Sequence, residues 1–177
     1  YSKGDVDFKT QLTSILGKNP QVVFCPNYYE DVSKILKQAR DIGMTCPFLG
    51  GDGWDGLEGY ATADQLKDAY FCANYAKGSN PDFENAYKEE YGTEYPNGFA
   101  PLGYDAAMTV VYGLKAAEDA GLEAGSDDYK QAVIDAIASG TIDGITGTFT
   151  FDEHHDPVKQ TAILGFDGET PVLKEMF

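Results

Sequence analysis

From residue 6 to residue 73 the chain alternates amphipathic stripes with short, almost wholly apolar runs. Phe8, Leu12, Ile15 and Leu16 fall at i, i+4, i+7 and i+8, which predicts a helix over 6–17. Asp5 or Asp7 can cap it and Gly17 can end it. Residues 21–25 are nearly all apolar, as suits a strand buried on both faces of a parallel sheet. Val32, Ile35, Leu36, Ala39 and Ile42 then make a second stripe. Lys34, Lys37 and Arg40 take its wet side, and Gly43 closes it. Residues 47–50 and 69–73 read as further strands, with a short helix somewhere in 55–68. This alternation predicts an α/β fold with a parallel sheet flanked by helices.

The pattern changes after residue 73. Residues 74–80 read as a linker, and three helices follow with no strand between them. They are predicted at 81–91, at 99 to about 120 with Tyr104, Ala107, Val111, Leu114 and Ala117 as its stripe, and at 127–139 through Val133, Ile134 and Ile137. The end is β-rich. Residues 147–151 alternate, 160–166 form a strand, Asp167-Gly168 signals a hairpin, and 172–176 form the last strand. Three helices with almost no sheet to cover imply part of a larger two-lobed molecule.

Composition narrows the function. A formal charge of -16 over 177 residues argues against nucleic acid or an anionic membrane as partner. No apolar run is long enough to span a bilayer. The first residue is Tyr1 rather than Met, so a removed leader or an excised piece of a longer chain is expected. Cys25, Cys46 and Cys72 form no C-x-x-C and read as free thiols, with Cys25 and Cys72 buried in strands. His154 and His155 are neighbours in a polar turn and suit neither a catalytic pair nor, with Asp152 and Asp156, more than a weak metal site. No nucleophile–base motif is present, and the reading is that the protein is not an enzyme. Gly50-Gly51-Asp52-Gly53 lacks the Lys-Ser/Thr of a phosphate loop, and its Asp would repel phosphate. No cofactor is expected.

What remains lies at strand ends. Phe48 to Trp54 reads as a strand stopping at a glycine turn, where an open α/β sheet presents groups to a ligand. Asp52 and Trp54 follow this strand, and Tyr28 and Tyr29 follow the one at 21–25. One carboxylate amid aromatic walls suits a small ammonium-bearing ligand. Spacing alone leaves two other readings open: Asp52 as a helix N-cap, and the aromatics as packing between lobes.

The runs Gly4-Asp5-Val6-Asp7-Phe8, Asn27-Tyr28-Tyr29-Glu30, Gln38-Ala39-Arg40 and Phe48 to Trp54 resemble the branched-chain amino acid binding proteins of bacterial ABC importers. Phe99-Ala100, Gly103-Tyr104-Asp105-Ala106 and Gly144 through Asp152 continue the likeness in family order. The resemblance implies a type I periplasmic-binding fold, two α/β lobes joined by three crossings, of which this chain looks like the C-terminal half, with residues 1–73 and 158–177 in the second lobe and residues 74–157, mostly helical, in the first. It implies that Tyr28 flanks the ligand's amino-acid head, that Asp52 pairs with its ammonium, and that Phe99 forms a wall from the other lobe. Some members have Glu in place of Asp52. The implied partners are an amino acid and a membrane permease, and the implied location is a bacterial periplasm or a lipid-anchored cell surface. A ligand-sensing regulatory domain on the same fold is the alternative, and a hydrolase-like enzyme a more distant one. Sheet edges left open in half a molecule point to a homodimer or swapped assembly of the fragment.

Overall fold

The computed structural model describes every residue of the chain except Lys3. The chain divides into two compact units: Tyr1–Ala76 with Thr161–Phe177, and Lys77–Gln160. Both breaks fall about three residues later than the sequence places them. Tyr75 and Ala76 are buried, and so they stay with the unit they pack in.

The discontinuous unit holds a five-stranded sheet. Its strands are β1 (Val23–Phe24), β2 (Phe48–Gly50), β3 (Ala69–Ala73), β7 (Ala162–Asp167) and β8 (Thr170–Met176), in that spatial order. The first three are parallel and the last two antiparallel. The ladder reaches slightly past β1 at both ends. Val23 N donates to Pro47 O at 3.0 Å and Cys25 N to Leu49 O at 2.8 Å.

Helices α1 (Lys9–Leu16) and α2 (Tyr29–Asp41) bury Leu12, Val32, Ile35, Leu36 and Ala39 in one core with Phe48, Phe71, Ala162 and Leu164. Gly17 does end α1, but its N-cap position is Phe8 and no side chain caps it. Asp7 instead accepts from Lys9 N at 3.0 Å. Arg40 does not simply point to water. Its guanidinium donates to Met44 O at 2.8 Å, Cys46 O at 3.2 Å and Lys67 O at 2.6 Å, and lies over the Phe48 ring. It thereby fixes the loops that enter β2 and β3. The stretch 55–68 is not one helix. A 3-10 turn at Leu57–Gly59 follows a left-handed Gly56, and a single α turn, α3, spans Ala63–Leu66.

Only one face of this sheet is covered. Phe24, Leu49 and Tyr70 stand in register across β1, β2 and β3. Phe24 is 68% exposed and Leu49 39%. Cys72, on the same face as Tyr70, is exposed too. The expectation of strands buried on both faces is therefore corrected, and so is that of a buried Cys72; Cys25 is buried as expected.

The continuous unit carries α4 (Pro81–Tyr91), α5 (Phe99–Asp119) and α6 (Asp127–Ser139), followed by β4 (Ile142–Gly144), β5 (Gly147–Phe151) and β6 (Pro157–Val158) in a small antiparallel sheet. The helices thus have a sheet after all, formed from the residues that follow them. Asn80 caps α4 by accepting from Phe83 N at 3.0 Å, and Ser126 caps α6 by accepting from Tyr129 N at 3.1 Å. Gly92, with φ +70°, closes α4 in the left-handed region.

Of the apolar stripe expected for α5, only Ala117 lies on its buried side. Tyr104, Val111 and Leu114 are exposed, while Pro101, Asp105, Thr109, Gly113 and Ala117 are buried. The reason lies at Gly113. A Cβ there would stand 2.9 Å from Val133 and Ile137 of α6, so the two helices meet where α5 is smallest. Of the expected α6 stripe, Ile134 is instead 56% exposed.

Candidate functional site

The parallel register decides which turns can meet. Phe24 pairs with Leu49, and Leu49 with Tyr70. The residues leaving β1 and β2 therefore emerge at the same edge of the sheet. Residues 25–28 form one turn there, and residues 51–54 form the other.

Two close approaches weld these turns together. Gly53 is tightly placed: a Cβ would lie 3.1 Å from Asn27 O and 3.2 Å from Tyr28 Cδ1, so a side chain there would push the neighbouring turn aside by a few tenths of an ångström. Trp54 Nε1 donates to Cys25 O at 3.0 Å. The indole also lies flat on Gly50, where any Cβ would overlap it at 2.1 Å, and it packs beside Phe71. Trp54 is fully buried. The sequence expectation of Trp54 as a ligand wall is corrected by its position. It is a core residue beneath the turns, its ring seated where Gly50 has no side chain.

Asp52 is the first residue of the 3-10 turn Asp52–Trp54, with Gly51 at the cap position and no side-chain cap bond. The N-cap reading of Asp52 therefore fails. Its side chain is exposed. Tyr28 occupies the N-cap position of α2 with an extended backbone, and its carbonyl accepts from Asp31 N and Val32 N, both at 3.0 Å. That fixes the backbone while leaving the ring 75% exposed. An exposed carboxylate and an exposed ring thus project from two turns held rigidly to each other. Such a pair can neutralise a cation and offer it a π face.

Tyr29 is half-buried. Its ring packs on Tyr60, with centroids 4.9 Å apart. The neighbouring Tyr60 hydroxyl, then burial and Glu30, push its own hydroxyl above the usual tyrosine range. Tyr28 and Tyr29 both line an open groove of about 770 Å³, together with Tyr1, Asn27, Asp31 and Lys34; Asp52 does not line it. Tyr1 OH donates to Asp31 Oδ2 at 3.1 Å and accepts from Asn27 Nδ2. Neither Tyr1 nor Asp31 carries any periodic or motif signal that would have singled it out. Phe99 belongs to the continuous unit, at the first position of α5. Its ring is 73% exposed and its N–H donates to Asn97 Oδ1 at 3.1 Å.

The histidine turn is held by the Asp152 side chain. Asp152 Oδ1 accepts from His154 N at 2.8 Å and Asp156 N at 2.9 Å. Among the described residues no group of three His, Cys, Asp or Glu side chains is placed to hold a metal. No helix among them is long and apolar enough to cross a membrane.

A family model described as periplasmic binding protein matches residues 1–170. Among curated proteins, the Leu/Ile/Val-binding protein homolog 3 of Brucella melitensis is 28% identical over 156 residues, or 86% of this chain and 40% of its own length. The leucine-, isoleucine-, valine-, threonine- and alanine-binding protein of Pseudomonas aeruginosa is 25% identical over 158 residues, with the same coverage. Among solved structures, a leucine-binding protein of Thermotoga maritima superposes with a TM-score of 0.81 at 26% identity, covering 99% of this chain and 50% of that one. A branched-chain amino acid transporter substrate-binding protein of Streptococcus pneumoniae, solved with isoleucine, gives a TM-score of 0.76 at 28% identity, covering 99% and 49%. The chain spans 40% of the length of these curated relatives and about half that of the solved ones.

Proposed function

The chain belongs to the periplasmic binding protein family, and on that footing we propose that it supplies part of an amino-acid receptor serving a bacterial ABC importer. The ligand is a branched-chain amino acid or a related small amphipathic molecule. The protein works by binding, without chemistry, and its full-length form acts outside the cytoplasm and delivers ligand to a membrane permease. The observation that carries this reading is the exposed Asp52 carboxylate on a turn locked to Tyr28 through Gly53. The names of the relatives supply the ligand class.

In this scheme Asp52 receives the ligand ammonium and Tyr28 flanks its head. Trp54 touches no ligand and instead holds the two turns in place from below. Tyr29 braces the start of α2 against Tyr60.

Calorimetry with leucine, isoleucine and valine on the full-length protein tests the assignment. Asp52→Asn is expected to weaken binding at least about 30-fold, the consequence of leaving a ligand charge without its partner. Unchanged affinity in that variant would remove Asp52 from the site.

A further inference from the structure

In the continuous unit, three polar side chains from separate segments form a relay with a fixed direction. Asp105 lies in α5 with its carboxylate buried at 3% residue exposure. It accepts from Ile145 N at 2.7 Å, from Thr146 N at 2.9 Å and from Thr146 Oγ1 at 2.6 Å. A threonine hydroxyl has one hydrogen, and here that hydrogen is committed to the carboxylate. Its oxygen can then only accept. Lys159 Nζ, which can only donate, bonds to that oxygen. The Lys159 ammonium lies over the Phe149 ring, 5.7 Å from its centroid, and burial lowers the lysine pKa against the opposing pull of Asp105.

Lys159 occupies a particular place in the chain. It follows β6, and Gln160 is the last residue of its unit. Val158 pairs with Thr150, and among the described residues Lys159 and Gln160 have no ladder partner. The next backbone bonds are those of Thr161 with Phe177, which belong to the other unit. The side chain of Lys159 is thus the attachment of this outgoing segment to its own unit.

We propose that Lys159 is a positioning residue that anchors the outgoing segment 158–160 to its unit through Thr146 and Asp105, and so fixes where the chain becomes free to bend. The anchor depends on the order lysine to threonine to aspartate. A serine at position 146 preserves it and a valine breaks it. For the binding-protein reading, on which only this consequence rests, a loosened anchor changes ligand affinity without touching the ligand.

Hydrogen exchange on the 177-residue chain tests the anchor without any ligand. Lys159→Met and Thr146→Val are each expected to speed exchange of the Thr150 and Val158 amides, which pair between β5 and β6 next to the anchor, by about tenfold, the effect of losing one hydrogen bond to a charged group. The double variant is expected to be no faster than either single one, because both break the same relay. Thr146→Ser is expected to exchange as wild type. Wild-type rates in Lys159→Met would overturn the proposal, as would additive effects in the double variant. Uniform acceleration across all of Lys77–Gln160 would also overturn it, since that would make Lys159 a contributor to global stability only. Failure of this test leaves the Asp52 assignment standing, and failure of the Asp52 calorimetry leaves this one standing.

Discussion

Two cysteines with similar surroundings in sequence behave oppositely in the fold. Cys25 lies under the turn that carries Tyr28, and burial pushes its thiol up to about 11 from an ordinary 9.0, with Asn27 opposing and Asp31 adding to the shift. The folded state therefore holds a proton that the unfolded chain releases. Stability from this source is complete below pH 9 and is lost as pH rises through 11. Urea unfolding at pH 8 and pH 10.5 is expected to show a larger alkaline loss in the wild type than in Cys25→Ala. Equal losses would mean that the thiol is not titrating with the fold. A thiol reagent at pH 8 is expected to label exposed Cys72 first and Cys25 last. The sequence announces both residues as parts of apolar runs and cannot say which side of the sheet is covered. Trp54 misleads for a related reason. Its spacing from Asp52 marks it as a neighbour of the turn, but only the contacts at Gly50 and Cys25 O reveal that it points inward.

At the level of elements, α5 separates hydrophobicity from burial. The period of its apolar residues correctly indicates a long helix starting at Phe99. It does not indicate the packed face, because α6 seats itself on Gly113 and the small residues in line with it. Asp105 on that face does for the residues after β4 what a cap does for a helix, satisfying two backbone N–H groups at once. Asp105→Ala strands both donors and is expected to cost about 3 kcal/mol in urea or thermal unfolding of the chain. A loss under about 0.5 kcal/mol would mean that water replaces the carboxylate without penalty. Strands fared better than helix faces in the sequence. The runs at 47–50 and 69–73 lie almost where they were expected, since a short apolar run bounded by glycine or charge has few alternatives. The β4 strand escaped notice because Ile142-Asp143-Gly144 has neither length nor alternation to mark it.

For the molecule as a whole, the order of elements was legible as an α/β chain interrupted by a helical insertion, because alternating periodicities and their loss need no tertiary information. Which surfaces stay open was not. Phe24 and Leu49 lie side by side on the uncovered face of the sheet, and contiguous apolar surface of this kind favours association. The 177-residue chain is expected to associate with rising concentration in light scattering, and a Phe24→Glu, Leu49→Glu double variant is expected to remain monomeric. A wild-type chain that stays monomeric at high concentration would show the face to be inert. The sheet also has a history written into its strand order. β7 joins β3 only after the whole of Lys77–Gln160 has intervened. During vectorial synthesis, Lys77–Gln160 can therefore complete its fold while one side of β3 stays unzipped until Ala162–Asp167 has emerged.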